Sequence, residues 1–98
     1  MLQATSFTFQ SKIYQCSVLI DISEYPCFLF IDLLDEALSN IYGSEITIRT
    51  DGKIVFPYKG DKLTGMVELR NSILIAVKES DEFKNAIQKM DKMDVQEY

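Results

Sequence analysis

The chain has 98 residues, a length that suits one domain with one modest hydrophobic core. Fifteen acidic residues against ten basic ones give it a net charge of −5. Because phosphate neutralisation needs clustered Lys or Arg, this balance argues against nucleic acid and against an anionic membrane surface as partners. No apolar run approaches the ~18 residues of a membrane-spanning helix, and the N-terminal residues lack the pattern of a signal peptide. We therefore expect a cytoplasmic protein.

The N-terminal residues predict a hairpin. Phe7 and Phe9 alternate with polar residues, and the next segment alternates in the same way from Tyr14 onward, a period of two that is typical of half-buried strands. A two-residue turn at Ser11-Lys12 would place Phe9 opposite Tyr14. This register collects the apolar side chains of both strands on one face of the sheet.

The two cysteines lie on neighbouring predicted strands that are joined by a turn at residues 23–26. In that hairpin Cys16 faces Leu33 rather than Cys27, so the two sulfurs are about 20 Å apart along the strand. A disulfide needs Cα atoms within ~7 Å. We therefore expect two free, buried thiols in a reducing compartment. Cys27 also begins a continuous apolar run, residues 27–31, that predicts a third strand buried on both faces.

The following segment predicts an amphipathic helix. Its apolar residues recur at helical spacing and form one stripe, which comprises Leu34, Ala37, Leu38, Ile41 and Tyr42. Asp32 is placed to cap this helix, and Gly43 is placed to end it. Asp35 and Glu36 suit the positive end of the helix dipole.

Residues 45–58 then predict a second hairpin around Asp51-Gly52. We prefer a three-residue loop with the glycine in the left-handed region to a two-residue loop. The longer loop pairs Ile48 with Ile54 and therefore collects the apolar residues on one face.

The last third of the chain is ambiguous. Residues 72–78 have the composition of a strand, yet the apolar residues of this region keep the three-four spacing of a helix. We prefer a helix over residues 64–78 and a second over residues 81–92, capped by Ser80. A strand over residues 72–78 is the alternative. Residues from Asp94 on are expected to fray.

The predicted element order is β-β-β-α-β-β-α-α within a single domain that spans residues 1–98. Consecutive elements are usually neighbours in space. This order therefore predicts an α+β fold, in which an antiparallel sheet of about five strands has two to three helices packed on one face.

The composition leaves few chemical functions open. The chain has no histidine, which removes the Ser-His and Cys-His catalytic pairs and the commonest general base. It also has no Cys-x-x-Cys pair and no glycine-rich phosphate loop. Asp32, Asp35 and Glu36 form the densest acidic cluster, but capping and the helix dipole account for acids in a first helical turn. We therefore assign no catalytic, cofactor-binding or metal-binding residue and expect no cofactor.

Four residues are candidates for contact with a partner protein. Tyr25 and Tyr58 each adjoin a proline in a predicted turn, where an exposed aromatic side chain can anchor a partner. Asp35 and Glu36 form the acidic start of the first predicted helix. We expect the binding patch to include these turns or this helix start.

Three stretches, SFTFQSKIYQCSV at residues 6–18, DEALSNIYG at residues 35–43 and ELRNSI at residues 68–73, are similar to those of an uncharacterised group of short bacterial cytoplasmic proteins. This resemblance extends over much of the chain and includes no functional motif. It implies a bacterial, cytoplasmic protein and assigns no role to any residue.

The leading interpretation is a non-enzymatic interaction module that binds another protein or a second copy of itself. Self-association is suggested because residues 64–78 include more apolar residues than one buried helical stripe requires. The alternative is a small-ligand-binding domain or a simple enzyme, with a carboxylate in an apolar pocket between the sheet and the helices. Mimicry of nucleic acid by the acidic surface is a third interpretation.

Overall fold

The structure is a computed structural model that describes residues 2–23, 26–56 and 65–96, with only the backbone course for residues 2 and 90–96. The described residues form four antiparallel strands and three helices. In chain order these are β1 (Leu2–Phe9), β2 (Lys12–Asp21), β3 (Cys27–Leu33), α1 (Glu36–Tyr42), β4 (Glu45–Thr50), α2 (Met66–Lys78) and α3 (Asp81–Gln96). The strands lie side by side in the order β1-β2-β3-β4. The predicted α+β class is confirmed, with four strands in these residues rather than about five.

The first hairpin forms in a register two residues away from the predicted one. Its turn is Gln10-Ser11, and both residues have positive φ, 51° and 66°, as a two-residue type I′ turn requires. Tyr14 therefore pairs with Phe7 and not with Phe9. Because a shift of two residues leaves every side chain on its own face, Phe7 and Phe9 are buried as predicted.

The predicted pairing of β2 with β3 is confirmed, since Cys16 lies opposite Leu33. Both cysteines are free and fully buried. The prediction that β3 is buried on both faces is wrong. Leu29 is buried, whereas 42% of the surface of the next residue, Phe30, is exposed. In the described part of the chain, the helices therefore cover one face of this strand and leave the other to solvent.

Helix α1 begins later than predicted. Its N-cap is Asp35, whose carboxylate accepts a hydrogen bond from the Leu38 amide at 2.9 Å. The predicted cap, Asp32, is wrong because this residue still belongs to β3. The predicted apolar stripe is also wrong, since Leu38 is buried but Leu34 and Ile41 are each 58% exposed. A helix of two turns has too little length to bury the whole stripe against the sheet.

The predicted fifth strand does not form within residues 51–56. A four-residue loop follows β4, and pairing resumes only as a single bridge between Thr50 and Val55. The Asp51 carboxylate holds the loop by accepting hydrogen bonds from two loop amides. Ile54 is consequently exposed, and its predicted pairing with the apolar residues of β4 is wrong.

Residues 72–78 are helical, as the apolar spacing favours, and lie within α2. This helix packs against both edge strands, β1 and β4, and against α3. Leu69 and Ile73 are fully buried in the core. The helix also leaves apolar residues outside the core, since Val67 and Ile75 remain 62% and 65% exposed.

Helix α3 follows α2 after a short break. The Ser80 hydroxyl accepts a hydrogen bond from the Phe83 amide at 3.2 Å, which confirms Ser80 as the predicted cap. The helix continues to Gln96, beyond its predicted end near residue 92. Fraying from Asp94 on stays a prediction.

The core lies between one sheet face, called the inner face, and the three helices. Phe9 at the end of β1 packs edge-on against Tyr42 of α1, with 5.9 Å between the ring centroids. Arg70 of α2 is 4% exposed, and its Nε donates a hydrogen bond to the Thr47 carbonyl of β4 at 3.1 Å. Among the described residues, α1 and α2 thus attach to the inner face and to the edge strand β4.

Candidate interaction face

The structure describes two of the four residues predicted to contact a partner. Tyr25 and Tyr58 lie outside the described residues. Asp35 is half-buried, and one of its carboxylate oxygens caps α1. Glu36 is exposed in the first turn of the same helix. A role for these residues in partner binding stays a prediction.

The acidic cluster of the sequence is divided between two surfaces. Asp32 is exposed on β3, whereas Asp35 is engaged in capping α1. Among the described residues, no three metal-ligating side chains lie together. Hydrogen bonds from backbone amides hold the pKa values of Asp21 and Asp51 below the usual range of a carboxyl group. A lowered pKa favours a fixed negative charge at both positions.

Both thiols are buried inside the protein. Burial raises the pKa of Cys16 and the pKa of Cys27 to about 11 each. The Cys27 Sγ also donates a hydrogen bond to the Thr50 carbonyl at 3.3 Å. Because thiolate is the reactive form, both groups are unreactive at neutral pH.

A groove of about 460 Å³ runs between β1 and α2. Its lining combines exposed apolar side chains, Ile13 and Ile75, with the hydroxyls of Ser6 and Thr8 and the carboxylate of Glu79. The alternative interpretation of the sequence, a pocket between the sheet and the helices with a carboxylate in it, gave no position for such a pocket and stays a prediction. Glu79 is exposed, however, so water solvates its carboxylate. The groove does not bury this acid.

The sheet face opposite the helices, called the outer face, carries every second residue of each strand. Strand pairing aligns these residues in rows that cross the sheet. Taken from β2 through β3 to β4, the rows are Leu19-Phe30-Thr47 in the middle, Asp21-Phe28-Arg49 on one side and Ser17-Asp32-Glu45 on the other. These are called the middle row, the Arg49 row and the Glu45 row.

Three apolar side chains meet on the outer face: Leu19, Phe28 and Phe30, called here the aromatic patch. The two phenylalanine rings stack, with 6.1 Å between their centroids and 9° between their planes. Leu19 is the cross-strand neighbour of Phe30, and these two residues are 41% and 42% exposed. Phe28 is half-buried, so the aromatic patch presents mainly Leu19 and Phe30 to solvent.

Arg49 borders the aromatic patch on β4, directly opposite Phe28. Its guanidinium carbon lies 5.7 Å from the centroid of the Phe56 ring. The Phe56 amide donates a hydrogen bond to the Arg49 carbonyl at 2.8 Å, which keeps the two residues together. A cation over an aromatic ring is held electrostatically. The positive charge of Arg49 is thus positioned beside the apolar side chains.

The opposite side of the aromatic patch is acidic. Asp32 and Glu45 are direct cross-strand neighbours on the outer face, and both are exposed. Two like charges directly opposite each other on a sheet are destabilising. The outer face therefore has an apolar middle, with Arg49 and Asp21 on the strands that flank Phe28 on one side and the adjacent anions Asp32 and Glu45 on the other.

Sequence reasoning missed this face because it assigned Phe28 and Phe30 to the core. An unbroken apolar run gives no period by which to separate the two faces of a strand. The one available sign was Asp32, which lies two residues after Phe30 and must share its face. A charged residue at that spacing indicates a face in contact with water.

No described helix is long and apolar enough to span a membrane. Comparison of the chain with protein-family models, with curated proteins and with solved structures finds no match in any of the three.

Proposed function

We propose that this protein is a non-enzymatic interaction module that binds another polypeptide through the outer face of its sheet. The observation that supports this proposal is the aromatic patch, in which the exposed residues Leu19 and Phe30 are cross-strand neighbours and Phe30 stacks on the half-buried Phe28. Single exposed apolar residues are ordinary on protein surfaces. A contiguous group bordered by charges of both signs is typical of protein-binding surfaces.

The chemistry of the patch suits a contact that must form with little loss of entropy. Strand β3 is paired on both sides, and its two phenylalanine rings stack on each other. These rings therefore have few conformations to lose when a partner covers them. Arginine and aromatic residues are also the types that supply most of the binding energy in known interfaces. Arg49 and Phe30 are therefore the residues that we expect to contribute most.

The proposal includes a cytoplasmic location. Two free, buried cysteines fit a reducing compartment. Of the charged residues on the outer face, Asp21, Asp32 and Glu45 outnumber Arg49, so the face would repel phosphate groups. A protein partner is accordingly proposed in preference to nucleic acid or an anionic membrane.

A second candidate function is the binding of a small ligand in the groove between β1 and α2. The observation in its favour is the volume, since about 460 Å³ lies within the range of ~300–1,000 Å³ of small-molecule sites. A thermal-shift screen with metabolites tests this candidate. A shift that Glu79→Gln removes would support it, and the absence of any shift would count against it.

The experiment for the proposed function compares three folded baits in capture from a lysate of the source organism, read by mass spectrometry. The baits are the unchanged protein, Phe30→Ser and Ile13→Ser. Ile13 is the matched control, because it lies on the same face of the same sheet and is 76% exposed. It is six residues from Leu19 along β2, a distance of about 20 Å from the aromatic patch.

We expect one dominant partner to be retained by the unchanged protein and by Ile13→Ser and lost by Phe30→Ser. Circular dichroism would establish that all three baits are folded. Capture that is equal for all three baits would refute binding through the aromatic patch. If the folded, unchanged protein neither captured a partner nor bound itself, the interaction module would be the wrong function.

A further inference from the structure

We propose that the polypeptide bound by the outer face is a second copy of this chain. The two copies pack face to face about a two-fold axis that runs along the middle row. This inference rests on the proposed function and names the partner of the same face. It is carried by the arrangement of charges on either side of the aromatic patch.

The axis follows from the order of the rows. A rotation of 180° about the middle row brings a second sheet over the first and leaves Leu19 and Phe30 over their own counterparts. The same rotation places the Arg49 row of one copy over the Glu45 row of the other. Arg49, Thr47 and Glu45 are alternate residues of β4, so Arg49 comes to lie over the partner copy's Glu45.

The side chains can bridge the resulting gap. Packed sheets are separated by about 10 Å, a distance that an arginine and a glutamate side chain span together. Neighbouring strands are about 4.8 Å apart, so the same guanidinium also lies within reach of Asp32 beside Glu45. The two-fold axis generates this contact twice. Each Arg49 then neutralises an acidic pair that is self-repelling in the single chain.

The apolar contact is self-complementary in the same arrangement. Phe30 and Leu19 lie on or beside the axis, where the two copies of each residue meet. Aligned sheets pack with their strands within about 30° of each other. The rotation also places Phe28 over Asp32 and Asp21 over Ser17 of the partner copy, so Arg49 lies opposite an acid and no acid lies opposite another acid. A self-complementary surface of this kind is what a closed two-fold dimer requires.

The size of the face sets the strength of the contact. Four strands are about 19 Å wide, and the face extends for about 20 Å along them, which gives about 400 Å² per copy. Stable complexes bury about 800 Å² per partner. The dimer should therefore be a weak one whose population depends on the protein concentration.

Sedimentation velocity of the purified protein tests the proposal, over concentrations from about 1 µM to about 1 mM. The variants are Arg49→Glu, Glu45→Arg and the double variant that carries both exchanges. Both residues are exposed, so the exchanges leave the core intact. Each single exchange places like charges opposite each other and should raise the dissociation constant at least about tenfold. The double exchange restores opposite charges and should return it to within about threefold of the original value.

Phe30→Ser should abolish the dimer, and Ile13→Ser should leave it unchanged. A wild-type chain that remains monomeric at about 1 mM would overturn the proposal. A dimer that is indifferent to all the charge exchanges would also overturn it and would point to the exposed residues of α2. If the protein is monomeric but lysate capture still depends on Phe30, self-association fails while the proposed interaction module stands.

Discussion

Gly52 lies in the loop after β4 and packs against Ile87 of α3. Substitution of this glycine therefore tests the packing of that helix. The φ of Gly52 is +98°, and a Cβ added at this position would lie 2.9 Å from Cδ1 of Ile87 and 3.2 Å from its Cγ1. Cβ contacts below 3.0 Å do not occur in practice, so Ile87 must move. Gly52→Ala therefore combines backbone strain with a collision against α3.

The two contributions can be estimated separately. A left-handed backbone costs a residue with a Cβ about 1–2 kcal/mol. Overpacking costs about 1–3 kcal/mol, and the lower end applies because the colliding atom is the tip of a half-buried side chain. We expect Gly52→Ala to lower the free energy of unfolding by about 2–3 kcal/mol, out of about 5–15 kcal/mol for a typical domain.

Urea denaturation followed by circular dichroism measures this loss, and a double-mutant cycle separates its parts. In an Ile87→Ala background the collision is absent, so Gly52→Ala should cost about 1 kcal/mol less than in the unchanged protein. Gly43→Ala shows the cost of strain without a collision, since nothing lies within 4 Å of the added Cβ; its φ of +90° and ψ of 155° lie in a region that is essentially restricted to glycine, so this strain should exceed that of a left-handed backbone. Equal costs of Gly52→Ala in both backgrounds would refute the contact between the loop and α3.

Three further predictions concern the cap, the core and the thiols. Asp35→Ala should lower the free energy of unfolding by about 1 kcal/mol through loss of the α1 cap, and Glu36→Ala by less than ~0.5 kcal/mol; equal losses in urea denaturation would contradict the assignment of the cap. Phe9→Ala should cost about 3–5 kcal/mol by the same method, because the ring is 1% exposed, and a loss below about 1 kcal/mol would contradict that burial. Burial raises the pKa values of Cys16 and Cys27 from the ordinary 9.0 to about 11, so the folded state holds these protons more tightly than the unfolded state. Stability should be fully present below about pH 9 and fall as the pH rises toward 11; urea midpoints that fall equally in the protein without both cysteines would exclude the thiols as the cause.

The sequence predicted those parts of the fold that depend on local periodicity. Phe7 and Phe9 were correctly predicted to face the core although the predicted hairpin register was wrong, because an error of two residues in register leaves every strand residue on the same face. The helical spacing of α2 outweighed the strand-like composition of residues 72–78, since three-four spacing persists through Leu69 and Ile73 into the core. The register of β2 against β3 was also predicted correctly.

The failures depend on side-chain hydrogen bonds that local patterns do not encode. Asp32 and Asp35 are both suitable caps, and only the end of β3 decides that Asp35 is the one used. Asp51 accepts two loop amides and thereby fixes a four-residue loop. That loop exposes Ile54 and leaves a single bridge in place of a strand. The competition of such side chains with strand pairing is a known limit of pattern reasoning.

The wrong prediction that β3 is buried on both faces bears directly on the proposed function, because both arise from the apolar composition of this strand. The run Cys27–Ile31 has the composition of a strand that is covered on both faces. The three helices cover the inner face of the sheet, and the described part of the chain leaves Phe30 in water. Folding leaves 42% of the Phe30 surface in water, so the single chain does not bury all of the apolar area that this ring offers. Burial in a second sheet would give these rings the environment that the composition of β3 predicts, and the opposed Arg49 and Glu45 rows favour a sheet from a second copy of the chain.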